Sequence, residues 1–306
     1  MNPLVSVITV NFRQAELTVD FLKSLNQSDY PNVEVIVVEN GWKEDNDHDY
    51  QRVFPGLKII HSKENLGFAG GNNLGIREAT GDYLFFLNND TEVPKNTISQ
   101  LVSKIAADEQ IGVICPRIYY FDQPDILQFA GFTPMNWWTA QNHAIYFREH
   151  KVPEAKTEST AFAHGAAMMI ARKAIDQVGE MPDQYFLYYE ELDWIQQIKN
   201  IGFTVMVDHS SYILHKESMS TGKASPLKTY FQTRNRILFM RRNAGNRKWG
   251  FFLYFMLAVL PIHLFRYSMK RQWDHIKSLV AGTCWNLRHS TTSQVIGFKY
   301  DSLRSS

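Results

Sequence analysis

Tyr83-Leu84-Phe85-Phe86-Leu87-Asn88-Asn89-Asp90 is the stretch on which the fold turns. Five apolar residues in a row, too short for a helix and rich in aromatics, read as a strand covered on both faces, the habit of parallel sheets sandwiched between helices. The run ends in two amides and a carboxylate, so it delivers an oxygen-rich tip to a sheet edge, a natural place for a metal or ligand. The pattern continues to either side. Residues 5–10, 33–38 and 57–60 are further apolar runs. An amphipathic stretch through Ala15, Leu17, Val19, Phe21, Leu22 and Leu25 and a helix near residues 69–79 alternate with them. After Asp90 a helix is expected over 94–107, with Pro94 at its first position. Such alternation predicts an α/β fold, a mostly parallel, Rossmann-like sheet with helices on both faces. Ligands of open sheets bind beyond the carboxyl ends of the strands. There the sequence places Thr9, Asn11, Glu39, Asn40, residues 61–65 and residues 88–90, all facing one crevice.

A second acidic site lies about a hundred residues on. Phe186-Leu187-Tyr188-Tyr189-Glu190-Glu191-Leu192-Asp193 sets three carboxylates within four positions, between an aromatic run and a helical pattern reaching Ile201. Carboxylates at the edge of apolar surface are there to be paired or to act as bases. Residues 111–165 are less regular and read as an antiparallel extension or an acceptor-facing wall. Short strands at 204–207 and 212–215, a polar segment over 216–225, and a helix through Tyr230, Arg234, Ile237 and Met240 complete the body.

Bulk composition narrows the class. Of the 306 residues 44% are hydrophobic and 13% aromatic, which excludes a disordered chain. The net charge of +1 is unevenly spread: from Arg241 onward there are eleven Lys/Arg against two Asp/Glu, a net of +9, which leaves −8 for the first 240 residues. An acidic body with a basic, apolar tail is the signature of a membrane surface or a polyanion. The run WGFFLYFMLAVLPIHLF (residues 249–265) has basic residues on both sides. A single span would put positive charge on both faces of a membrane, so helices lying in the interface are expected, with a helical pair packed on the core as the alternative. The aromatic-aliphatic character suits lipid rather than nucleic acid. Cys115 and Cys284 form no disulfide framework, and the N-terminus lacks a signal-peptide pattern, so a cytoplasmic protein is expected.

The run Asn65-Leu66-Gly67-Phe68-Ala69-Gly70-Gly71-Asn72-Asn73-Leu74-Gly75 follows a strand and opens a helix. It is neither a dinucleotide fingerprint nor a P-loop; it reads equally as a structural turn or as a ligand loop involving Asn65, Gly70 and Asn72. The ordered set VSVITVNF (5–12), VVENG (37–41), this glycine run, LNNDTEV (87–93), HGAAM (164–168), YFLYYEELDW (185–194) and TRNR (233–236) resembles the family 2 glycosyltransferases of the rhamnosyltransferase-like branch, over roughly residues 4–242. The resemblance implies a GT-A fold and an inverting, metal-dependent hexosyltransferase, with rhamnosyl transfer as the branch's example, of cell-wall or cell-surface polysaccharide biosynthesis. A catalytic domain is therefore expected over 1–242, and the basic, apolar tail adds an expected C-terminal helical, membrane-associated extension over 243–306.

Its residue roles carry over as follows. Asn88-Asn89-Asp90 stands at the family's Asp-x-Asp-type motif, which implies a divalent cation (Mg²⁺ or Mn²⁺) on Asp90, a ligating His215, and donor contacts from Asn88 and Asn89. Thr9, Asn11, Glu39 and Asn40 match nucleotide-binding residues, with Glu39 in place of the usual Asp. Glu190-Glu191 matches a Glu-Asp pair whose second member is the base, so Glu191 is favoured over Glu190; Asp193 is expected to orient the site or cap its helix. Arg234 and Arg236, two apart on a helix, cannot point to one spot; one is expected to meet the diphosphate, with Arg234 the candidate, and the other carboxylates or lipid. The implied partners are a nucleotide-diphosphate sugar, a glycan or lipid-linked acceptor, and the cytoplasmic face of the inner membrane. A catalytically lost sugar-nucleotide-binding scaffold and a sugar-phosphate nucleotidyltransferase are the rivals; the latter wants glycines after the first strand, where Asn11-Phe12-Arg13 has none.

Overall fold

The computed structural model describes residues 2–41, 45–150, 154–216 and 225–297; most of the polar segment expected over 216–225 lies outside them. The elements run β1 (Val5–Asn11), α1 (Ala15–Leu25), β2 (Val33–Asn40), α2 (Asp47–Val53), β3 (Lys58–Ser62), α3 (Gly67–Glu78), β4 (Tyr83–Leu87), β5 (Thr91–Glu92), α4 (Thr97–Ile105), β6 (Ile111–Tyr120), β7 (Gln123–Phe129), β8 (Thr157–Ser159), β9 (Ala167–Ala171), α5 (Arg172–Val178), α6 (Glu190–Asn200), β10 (Thr204–His215), α7 (Pro226–Asn243), α8 (Lys248–Tyr254), α9 (Leu260–Met269) and α10 (Trp273–Arg288). One sheet has the order β3-β2-β1-β4-β9-β6-β10-β5, with β7 on β6 and β8 on β10. The expected parallel half is β3-β2-β1-β4. Beyond it β9 enters antiparallel to both β4 and β6, while β6 and β10 are parallel. The sheet is therefore mixed.

Two local expectations are corrected. Helix α4 starts at Thr97 rather than Pro94; the Pro94 carbonyl accepts from the Thr97 N–H at 3.1 Å, so proline closes the turn before the helix. The strands expected at 204–207 and 212–215 are one strand, β10, bulged between Asp208 and Tyr212. A bulge adds residues to one strand without ending its pairing, which reads in sequence as a break.

The glycine run is resolved by packing. Side chains added at Gly71 and Gly75 would stand 2.8 Å from Val10 Cγ1 and 2.4 Å from Ile8 Cγ2, so these glycines let α3 lie directly on β1. Gly67 has φ +72, and a Cβ there would fall 2.1 Å from the Phe186 carbonyl oxygen. The Phe68 N–H donates to that same oxygen at 2.8 Å. The first turn of α3 is thereby fastened to the segment that leads into α6.

The C-terminal part is helical. α8, a π-helical turn at Phe255–Val259 and α9 run on continuously, and Gly245–Met269 is long and apolar enough to cross a membrane by length and composition. Its buried row, Phe251, Phe255 and Val259, recurs every four residues against the body. α10 then returns along α7: Asn286 Nδ2 donates to the Arg234 carbonyl at 2.9 Å and the Tyr230 hydroxyl donates to that of Ile296 at 2.6 Å.

Gly67→Ala should therefore cost at least ~2 kcal/mol, through left-handed strain plus a main-chain clash, and lower Tm by roughly 4 °C or more. Gly56→Ala, at φ +83 with nothing within 4 Å, should cost only the strain of about 1 kcal/mol. Equal melting shifts for the two variants would refute the close approach of α3 to Phe186.

Candidate active site

β1 and β2 end side by side and present a buried network. Asn11 Nδ2 donates to both carboxylate oxygens of Glu39 at 3.0 Å, and the Tyr50 hydroxyl donates to Glu39 Oε1 at 2.6 Å. Burial pushes the Glu39 carboxyl up, against the pull of the Tyr50 and Asn11 donors. Thr9 Oγ1 is buried here with no hydrogen-bond partner. Asn40 is turned to the neighbouring loop: its Oδ1 accepts from the Leu66 N–H at 2.7 Å and its Nδ2 donates to Asn65 Oδ1 and the Gly67 carbonyl. Asn65 Oδ1 also accepts from the Gly67 N–H.

Several residues assigned to the donor are thus engaged within the protein. Asn72 Nδ2 donates to the Phe68 carbonyl of its own helix, and a Cβ at Gly70 would crowd Leu66 at 2.7 Å, so both serve α3 rather than a ligand loop. Asn89 Nδ2 bridges Asn11 Oδ1 at 3.1 Å and Thr18 Oγ1 at 3.0 Å, tying the end of β4 to that of β1. Asn88, just before Asn89, is half-buried.

Asp90 and His215, 125 positions apart, are brought together because β5 pairs antiparallel with the end of β10, His215 opposite Thr91. Asp90 Oδ1 lies 3.2 Å from His215 Nε2; both residues are buried and neither atom has a hydrogen-bond partner. On the other side of the ring, His215 Nδ1 faces Gln128 Oε1 at 2.8 Å. An amide oxygen there places the ring proton on Nδ1 and turns the Nε2 lone pair to the carboxylate. Two lone-pair atoms at that separation repel unless a proton or cation lies between them. An anionic oxygen, an imidazole nitrogen and an outer partner that fixes the tautomer suit a divalent ion. Among the described residues no group of three or more His, Cys, Asp or Glu could hold a metal. His164 packs beside His215, ring centroids 6.1 Å apart, and burial pushes its imidazole down to about 3, with His215 acting the same way against the opposing Asp90.

The next residue, Gly165, links this pair to the second acidic site. A Cβ at Gly165 would stand 3.7 Å from the Phe68 ring and 3.8 Å from Glu191 Cγ. Consecutive Cα atoms are ~3.8 Å apart, so residues 164–165 bring the Asp90–His215 pair and Glu191 to one crevice. Glu190 is only 3% exposed, and its Oε2 has no partner. Burial, then the neighbouring Glu191, raises its carboxyl well above the ordinary range. Burial also raises Glu191, against backbone donors at the start of α6, but Glu191 keeps partial exposure.

The loop that presents these carboxylates is strained. Phe186, Tyr188 and Tyr189 all have positive φ, at 65°, 69° and 75°. Asn235 Nδ2 donates to the carbonyls of Tyr185, Leu187 and Tyr188 at 3.0, 2.6 and 2.9 Å. Here two assignments are corrected. Arg234 is wholly buried; it donates to the Gln184, Tyr185 and Val295 carbonyls and stacks 3.9 Å over Trp285, so it clamps the loop from within the protein instead of facing the crevice. Asp193 neither caps α6 nor faces the crevice: fully buried, it pairs with Arg242 Nε and accepts from Asn243 Nδ2 at 2.8 Å, locking α6 to α7. Sequence reading missed Gln128, Tyr50 and Asn235. Only Asn235 carried a signal, inside the TRNR run.

Comparison with known proteins places this arrangement. Residues 6–179 match the model of Glycosyl transferase family 2. The chain is 28% identical over 254 residues to the low-salt glycan biosynthesis hexosyltransferase Agl10 of Haloferax volcanii, covering 76% of this chain and 74% of that one. It is 21% identical over 249 residues to the N-acetylglucosaminyl-diphospho-decaprenol L-rhamnosyltransferase of Mycobacterium tuberculosis, covering 73% and 79%. Among solved structures, GalNAc-T7 with UDP, GalNAc and Mn²⁺ superposes at a TM-score of 0.61 and 14% identity over 78% of this chain, which spans about half (48%) of that protein. The mannosyltransferase PcManGT of Pyrobaculum calidifontis, with GDP-Man and Mn²⁺, superposes at 0.57 and 16% identity over 94% of this chain and 88% of its own. These likenesses support the GT-A fold expected from the sequence. The family model spans more than half of the residues, and the chain belongs to glycosyl transferase family 2.

Proposed function

We propose that the chain is an inverting hexosyltransferase that moves a sugar from a nucleotide-diphosphate donor to a hydroxyl of a glycan or lipid-linked glycan, in cell-surface polysaccharide assembly. One observation carries this reading: a buried Asp90–His215 pair, whose facing Oδ1 and Nε2 atoms have no hydrogen-bond partner, lies near carboxylates that burial has raised. The nucleoside is placed at the ends of β1 and β2, beside Thr9, Asn11 and Glu39. Asp90 and His215 would hold a divalent cation, Mg²⁺ or Mn²⁺, which when bound neutralises charge on the departing diphosphate. Glu191 takes the proton from the acceptor hydroxyl as that oxygen forms its bond to the anomeric carbon. The bond to the diphosphate breaks with its electron pair leaving on the diphosphate oxygen, from the opposite face. Burial and the neighbouring Glu191 raise the carboxyl of the deeper Glu190 well above the ordinary range, which disfavours a second negative charge beside the base. Residues 1–242 form the catalytic unit and 243–306 the extension that holds it to the cytoplasmic face of the membrane. Leu257, Phe265 and Met269 are 71%, 67% and 71% exposed on that extension, flanked by Arg247, Lys248, Arg266, Lys270 and Arg271, as in a helix lying among anionic headgroups.

Three outcomes are expected. Glu191→Gln should lower kcat by at least ~10²-fold, as for loss of a general base, with donor affinity unchanged; the wild-type acidic limb of kcat/KM should lie above the ordinary 4.5 of a glutamate, activity rising with pH through it. A limb at or below 4.5 would refute the base. A nucleoside diphosphate with Mn²⁺ should raise Tm, by about 2.7 kcal/mol of stabilisation at a hundred times Kd, and EDTA, Asp90→Ala or His215→Ala should each erase the shift. A metal-independent shift in all three proteins would exclude that pair as the metal site. Asn235→Ala should lower kcat while leaving the donor-induced shift intact, because three buried carbonyls of the loop lose their donor.

A further inference from the structure

Between α7 and the α8–α9 helix lies a cavity of about 220 Å³ that the transfer chemistry does not use. At ~30 Å³ per water it has room for a polar group of roughly seven water volumes. Arg236, Thr229 and Thr233 line it from α7, His263 from α9 and Gln141 from the loop before β8. None of its lining residues carries a carboxylate. Arg236 is half-buried and lines the cavity, with no acidic partner among the described residues; its guanidinium donates to the Thr139 carbonyl through Nε and Nη2. His263 Nδ1 is engaged by the Val259 carbonyl at 2.8 Å, which leaves Nε2 free. A desolvated guanidinium amid hydroxyls and an amide is a site for an oxyanion.

Position says which oxyanion. One wall is Tyr189, the residue before Glu190, so the cavity adjoins the catalytic carboxylates. The opposite wall is Phe255 and Val259, the inward row of the helix whose outward row is Trp249, Leu253, Leu257, Phe265 and Met269. A molecule seated here has its phosphate at Arg236, its far end toward Glu191 and any hydrocarbon tail beside a helix already suited to lipid.

We infer that this cavity binds the phosphate or diphosphate of a membrane-lipid-linked acceptor, with Arg236 as its cationic ligand, and so selects an acceptor presented from the bilayer. The inference rests on the glycosyltransferase reading and narrows its acceptor.

The test is co-flotation of the full chain with three vesicle types: phosphatidylcholine alone, phosphatidylcholine with phosphatidylglycerol, and phosphatidylcholine with a prenyl diphosphate at the same surface charge. The wild type should prefer the prenyl diphosphate vesicles over the phosphatidylglycerol ones by about tenfold or more, the worth of a charge-assisted hydrogen bond. Arg236→Gln should abolish that preference and keep the binding that both variants show to phosphatidylglycerol. Thr233→Val, nearly isosteric and so safe for folding, should reduce the preference by about threefold. Equal binding to the two anionic vesicles, or a preference untouched by both substitutions, would overturn the inference. So would inorganic pyrophosphate that competes as strongly as the lipid, since the source would then be soluble. Donor-induced thermal shift on the same samples separates the two readings. A donor that binds without any prenyl diphosphate preference sinks the cavity alone, whereas no donor binding with the preference intact sinks the transferase reading.

Discussion

The clamp of α7 on residues 184–189 is the constraint from which the rest of the site follows. Three non-glycine residues there hold positive φ, at a cost of about 1 kcal/mol or more each. Left to itself the segment would relax to an ordinary turn and rotate the start of α6. Asn235 and Arg234 prevent this by donating to four of its carbonyls, those of Gln184, Tyr185, Leu187 and Tyr188. The same turn carries the Phe186 carbonyl that receives the Phe68 N–H. One strained loop thereby sets α3, α6 and α7 relative to each other.

Orientation of the carboxylates is the product. With Asp193 drawn into an ion pair with Arg242, α6 is fixed in rotation, and the 100° step between neighbouring helix residues sends Glu190 inward and leaves Glu191 at the crevice. Their environments differ in depth rather than in chemistry. Burial raises both carboxyls, the inner Glu190 well above the ordinary range, since desolvation disfavours the charged form.

Opposite them, the Asp90–His215 pair depends on strand pairing. β5 has only two residues, yet it pins Thr91 against His215, and the Lys216 main chain donates to the Asp90 carbonyl at 2.8 Å. Lys216 adds ion pairs to Asp20 and Glu92 at 3.2 and 3.1 Å, which hold the end of β10 to α1 and β5. Gln128, arriving on β7, sets the ring face of His215. The centre is built from four elements none of which is adjacent to the others in sequence.

The sequence by itself determined the class of fold and the places of the chemistry. Apolar runs of strand length alternating with helical periods require a covered sheet, and polar residues at strand ends must meet at one edge because parallel strands share a direction. Glu190, Glu191 and Asp90 stand out in the sequence on those grounds and in the ordered motifs, whereas His215 is singled out by the family resemblance alone. What only the tertiary structure decided is which side chains face the crevice. Arg234, Asp193, Asn72 and Asn89 lie within the legible motifs but point into the protein, and the glycines of residues 67–75 serve contact with β1 and Phe186 rather than a ligand. Local periodicity fixes how residues are spaced along an element. Rotation of a helix about its axis and the pairing of a distant strand are set by non-local packing and hydrogen bonds, and those decided whether a polar residue of a motif binds substrate or holds the site in shape.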